Sequence, residues 1–173
     1  MKGRIASIVG ALTLFAAGSA LAAPSPIQIA LFNPAQIVKE DQSVGLVRLD
    51  FIYGKNVNVT GLEVGLINHT TGNQGGFTYG LASVVQGDFV GWQDNIINIA
   101  DKSFLGLQWG AFNQSKDGHG VQLGFVNVTE KMSGLQVGFV NYTRTMSKGV
   151  QVGVGNFILE GGIPFLPIVN ARF

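Results

Sequence analysis

The chain has 173 residues, of which 46% are hydrophobic and only 12% charged, with 25 glycines and no cysteine. An ordinary soluble domain carries about twice that charge, so the surface either faces something other than water or is covered by uncharged polar residues. The lack of cysteine excludes disulfides and thiolate metal sites, and a formal net charge of +1 gives no electrostatic case for nucleic acid.

In chain order, Lys2 and Arg4 precede an apolar run from Ile5 to Ala17, and Ala20-Leu21-Ala22 then supplies small residues at a cleavage spacing. That pattern predicts a secretory signal peptide over residues 1–22, its apolar run being shorter than the ~20 residues of a spanning helix. Without Lys2 and Arg4, the 11 basic residues fall to 9 against 10 acidic, so the remaining chain is nearly neutral. Residues 23–173 are expected to form one repeat-built β domain, long enough to hold a core.

The repeat is an eight-residue phrase, Gly-apolar-Gln-apolar-Gly-apolar-apolar-Asn, clearest in GVQLGFVN from Gly120 and GLQVGFVN from Gly134. Its copies begin at Pro26, Leu46, Gly61, Gly76, Gly91, Gly106, Gly120, Gly134, Gly149 and Ile163, at a period of 14 or 15 residues after a first step of 20. So constant a period makes the repeat the fold itself. Within each copy positions 2, 4 and 6 are apolar, position 3 is usually Gln, and positions 1 and 5 are usually Gly. Such alternation predicts a strand with two unlike faces, separated from the next by short turns such as QSKDGH and TEKMS.

Two architectures satisfy this reading. The favoured expectation is an up-and-down barrel of about ten short strands of the outer-membrane type, its Leu/Val/Phe face turned to lipid and its Gln/Gly face filling the lumen. The alternative is a parallel β-solenoid with one repeat per coil, like side chains stacking on like. The near-identity of all copies favours the solenoid, as does an eighth-position row (Asn68, Asn98, Asn113, Asn127, Asn141, Asn156, Asn170). Arg48 and Glu63 also share the third position in neighbouring copies, where parallel stacking sets them about 4.8 Å apart. In that alternative the Gln row ladders along an exposed sheet.

The candidate site is a polar cluster on the Gln/Gly face: Arg48, Asp50, Glu63, Gln93, Gln108, Gln122, Gln136 and Gln151. The paired carboxylates and the Arg suggest acid–base chemistry or an anion clamp, against the plainer reading of a buried ion pair that fixes register. Asp94 breaks the pattern by standing at a fourth position that is otherwise apolar. His69 and His119 lie in separate turns without metal-ligand spacing, no Gly-rich run has the strand-to-helix context of a phosphate loop, and no cofactor is expected.

The units GLQWGAFN, GVQLGFVN, GLQVGFVN and GVQVGVGN resemble those of bacterial surface-repeat proteins, and the closing Phe165, Val169, Ala171 and Phe173 alternation resembles the C-terminal signal of outer-membrane β-barrel proteins. The first resemblance implies a cell-envelope location and no catalytic residue; the second implies Phe173 as an assembly signal. The expected function is a non-enzymatic envelope protein, structural or weakly pore-forming, with outer-membrane lipid and, for a barrel, the barrel-assembly machinery as partners. The alternative is a secreted or periplasmic solenoid acting as a surface interaction module.

Overall fold

A computed structural model describes residues 23–173, so the expected signal peptide lies outside the described residues. The described residues are all-β: β1 (Ser25–Phe32), β2 (Ala35–Gln36), β3 (Val44–Asn56), β4 (Val59–Thr70), β5 (Gln74–Val85), β6 (Phe89–Val137), β7 (Val140–Glu160) and β8 (Phe165–Arg172). All eight belong to one sheet in the order β2-β1-β3-β4-β5-β6-β7-β8. Pairing is parallel at β1–β3, β3–β4, β4–β5, β5–β6 and β6–β7, and antiparallel only at the two ends, β1–β2 and β7–β8.

That topology is a β-solenoid of about nine turns and not a barrel. An up-and-down barrel pairs each strand antiparallel with the next, whereas here each repeat stacks on the one before it in the same direction. The strands β6 and β7 are long because they run continuously around several coils. Leu62 lies against Phe77, Glu63 against Thr78 and Gly65 against Gly80, so the 15-residue period becomes the register.

The tight coil closes because of its glycines. Gly134 has φ +143, and a Cβ there would stand 1.9 Å from the Gly120 carbonyl oxygen of the preceding coil. A Cβ on Gly138 would meet the Gly124 carbonyl oxygen at 2.5 Å and the Asn127 amide nitrogen at 2.7 Å. The first glycine of the phrase therefore serves backbone conformation, and the second leaves room for the Asn of the coil beneath.

Each regular coil buries four side chains, seen in the copy at Gly120 as Gln122, Asn127, Thr129 and Met132. The core is accordingly polar along most of its length, with small apolar clusters such as Val85–Phe89–Ala100–Phe104 and Met132–Met146–Ile158. The last copy does not add a coil. β8 runs back antiparallel on β7, setting Asn170 opposite Gln151 instead of above Asn156, and so covers the end of the stack.

Candidate functional site

The Gln row is fully buried, which corrects both earlier placements: it lines neither a barrel lumen nor an exposed sheet. Gln108 donates from Nε2 to Gln93 Oε1 at 2.7 Å, Gln122 to Gln108 at 2.7 Å, Gln136 to Gln122 at 2.7 Å and Gln151 to Gln136 at 2.8 Å. The Thr143 hydroxyl also donates to Gln136 Oε1 at 2.9 Å, so both lone pairs of that oxygen are used.

A second ladder runs beside it in the opposite sense. Asn98 donates to Asn113 Oδ1, Asn113 to Asn127, Asn127 to Asn141 and Asn141 to Asn156, each at 2.8 Å. The same amide nitrogens donate to backbone carbonyls of the next coil, Asn127 to Val137 O at 3.0 Å and Asn141 to Val152 O at 2.9 Å. The ladder begins at Asn98 because Ser83 takes the eighth position of the coil before it; Asn68 donates to Tyr79 O at 3.3 Å instead.

Arg48, Asp50 and Glu63 are brought together as expected. Arg48 stacks on Glu63 in parallel register and pairs with it, and its Nε lies 3.0 Å from Asp50 Oδ2, all three side chains being sealed from solvent. Arg48 also donates to the His69 carbonyl at 3.0 Å, and Gln74 donates to Glu63. Burial pushes the Asp50 carboxyl up to about 7, against the opposing pull of the Arg48 guanidinium and with a further rise from Glu63. A sealed cluster gives no substrate a route to its carboxylates.

His69 is half-buried and accepts or donates at 2.8 Å with the Tyr53 hydroxyl through Nδ1; burial, then the charges of Lys55 and Arg48, hold its imidazole below the ordinary range. His119 is in an exposed contact with Asp117 at 3.2 Å. Phe173 follows β8 and is 93% exposed.

The surface the structure adds to these residues is the outside of the same strands. Positions 2, 4 and 6 of the eight coils from Val47 to Val154 all point outward and are exposed or half-buried. They form three columns, and the middle one reads Leu49, Val64, Tyr79, Asp94, Trp109, Leu123, Val137 and Val152. Asp94 is the single charged side chain among them. With strands about 4.8 Å apart and residues about 3.3 Å along each strand, this sheet face measures roughly 600–800 Å², at or above the largest apolar patch of an ordinary monomer, roughly 300–600 Å². The sequence had already announced its alternation; what alternation could not announce is that stacking in parallel gathers every apolar position into one flat face.

Between the columns at positions 4 and 6 runs an open groove of about 470 Å³, walled by Leu49, Val64 and Tyr79 on one side and Phe51, Leu66 and Leu81 on the other. Its floor includes Gly65 and Gly80. At the next coil Asp94 stacks beside Tyr79.

No protein-family model matches the chain, and neither does any curated protein or solved structure.

Proposed function

We propose that this chain is a non-enzymatic module of the bacterial cell envelope, an exported β-solenoid that uses its flat apolar sheet to bind an apolar partner, the lipid of the outer membrane. One observation carries the reading: three outward columns of Leu, Val, Phe and Trp with one charge among them, on a molecule whose interior is polar. Burying roughly 700 Å² of such surface at about 25 cal/mol per Å² supplies a driving force on the order of 10 kcal/mol or more before the costs of association. The charged residues that remain exposed, such as Asp101, Lys102, Lys116, Glu130, Lys131 and Arg144, belong to the turns and the other sides of the coil. A barrel-assembly partner belongs to a barrel and drops out of this proposal.

The test is co-flotation with lipid vesicles. Wild-type protein is expected to float with them, and the pair Phe125→Glu and Phe139→Glu, which places two charges on the face, is expected to stay in the aqueous fraction with its circular dichroism unchanged. Equal flotation of both proteins would contradict the assignment of the face.

A further inference from the structure

Asp94 sits at the middle of the central column, in the fifth of nine stacked copies, and makes no ion pair among the described residues. Its neighbours on that column are Tyr79 on one side, by direct register, and Trp109 on the other, because Gln108 stacks on Gln93 and Gly110 on Asn95. Trp92 stands on the same strand two residues before it and packs edge-on against Phe77 with ring centroids 5.1 Å apart.

Tyr79 and Trp109 are about half exposed, 54% and 53%, and two strand spacings separate their backbones by about 9.6 Å. Their backbones flank that of Asp94 at one strand spacing each, about 4.8 Å, so a cation lodged over Asp94 has an aromatic side chain beside it in both directions along the column, the arrangement a cation–π contact uses. The carboxylate supplies the opposite charge. The open groove that ends at Tyr79 is lined almost wholly by apolar side chains.

We propose that this groove and Asp94 form one site for a cationic amphiphile: the alkyl chain lies between the columns headed by Leu49 and Phe51, and an ammonium head, quaternary or primary, rests on Asp94 between Tyr79 and Trp109. The inference rests on the apolar face being a binding surface and adds to it a charge preference. A purely lipid-facing sheet has no use for a carboxylate at its centre, whereas a site for an ammonium head needs one there.

The chain contains two tryptophans, Trp92 and Trp109, and both adjoin Asp94, so their fluorescence reports the site directly. Wild-type protein is titrated with decyltrimethylammonium, decyl sulfate and tetramethylammonium, all below micelle formation. Decyltrimethylammonium is expected to bind at least tenfold more tightly than decyl sulfate, and tetramethylammonium far more weakly, because a fully buried methylene contributes about fourfold. Asp94→Asn is expected to abolish the preference for the cation, and Trp109→Leu to weaken it about two- to fivefold. Trp92 alone reports the latter variant. Equal affinity for the two decyl compounds, or an unchanged preference in Asp94→Asn, overturns the proposal.

Flotation with phosphatidylcholine and phosphatidylglycerol vesicles separates the sources and the two readings. An Asp94-dependent preference for phosphatidylcholine identifies a lipid headgroup as the ammonium, and a preference confined to the monomeric amphiphile identifies a free one. Vesicle binding without any Asp94-dependent preference in either assay overturns this site while leaving the apolar face as a lipid surface. Binding of decyltrimethylammonium without vesicle binding overturns the lipid partner and leaves the site standing.

Discussion

The two halves of the solenoid interior solve the same problem differently. From Gln93 to Asn156 every coil presents amides that satisfy the amides of the next, and apart from Asn95 the one unmatched side-chain oxygen there is Gln151 Oε1, where β8 ends the ladder. From Arg48 to Gln74 the same positions hold an Arg and two carboxylates, and most of the buried atoms with neither a hydrogen bond nor an ion pair lie there or close by: Asp50 Oδ1, Asn68 Oδ1, His69 Nε2, Thr70 Oγ1 and Gln74 Oε1. A translationally repeated amide is its own partner, being donor and acceptor at once. A charge is not, since stacking like on like would repel, so the charged end requires unlike residues in successive coils and cannot propagate. This difference explains why the regular copies are nearly identical and the early ones are not.

The sharpest way to break that comparison is to remove one member of the charged end. Arg48→Met leaves the buried Glu63 carboxylate without its cation and is expected to destabilise the fold by about 3–5 kcal/mol in chemical denaturation. Exchange of the pair, Arg48→Glu with Glu63→Arg, should recover a large part of that loss. No recovery would mean that Arg48 and Glu63 are not stacked neighbours.

In the regular half the backbone is the most sensitive element. Gly134→Ala demands a Cβ at positive φ pressed against the Gly120 carbonyl, and about 2–4 kcal/mol of destabilisation is expected. Next comes Asn127→Ala, which removes the acceptor for Asn113 and the donor to Asn141 and Val137. Each orphaned group costs about 1–3 kcal/mol. Asn68→Ala, outside the ladder, should cost less, and equal losses for the two would deny the ladder any special role.

The charged end should also respond to pH in a way the amide end cannot. Asp50 is pushed up to about 7 from 3.8 by burial, so between those values the folded state holds a proton that the unfolded state has lost. Its contribution to stability therefore falls as pH rises through that window and levels off above about 7. Between pH 6 and pH 8 the decrease is expected to be on the order of 1 kcal/mol, and Asp50→Asn should flatten it. An identical pH slope in that variant would exclude Asp50 as its source. The smallest effect on stability belongs to the outer face: Phe139→Ser, which removes one ring of the stacked pair with Phe125, should cost about 1 kcal/mol while reducing vesicle flotation.

Much of this fold was legible in the residues. Alternation in Leu135, Gln136, Val137 and Phe139 correctly gave a polar inward and an apolar outward face, and the shared third position of Arg48 and Glu63 pointed to parallel stacking. Alternation alone was unable to choose between architectures, because it separates two faces without saying which way the neighbouring strand runs, and the solenoid alternative set the Gln face on an exposed sheet where the structure buries it. Asn170 misled for a related reason. It looks like the Asn of a tenth copy, but after Gly161 and Pro164 the chain reverses, and β8 caps the stack antiparallel. The site at Asp94 was visible only as a broken pattern, since its partners Tyr79 and Trp109 are each 15 residues away and become neighbours through the register.

The direction of stacking is measured most directly by cross-linking, which the lack of native cysteine makes clean. Leu135 and Val150 are register partners in parallel coils, with Cα atoms about 4.8 Å apart, within the 4.4–6.8 Å span of a disulfide. The double variant Leu135→Cys with Val150→Cys is expected to oxidise rapidly to an intramolecular disulfide, and Leu135→Cys with Gly155→Cys, the pair that a centred antiparallel hairpin would juxtapose, is expected not to. The reverse outcome would contradict the solenoid, and with it the polar interior and the single apolar face.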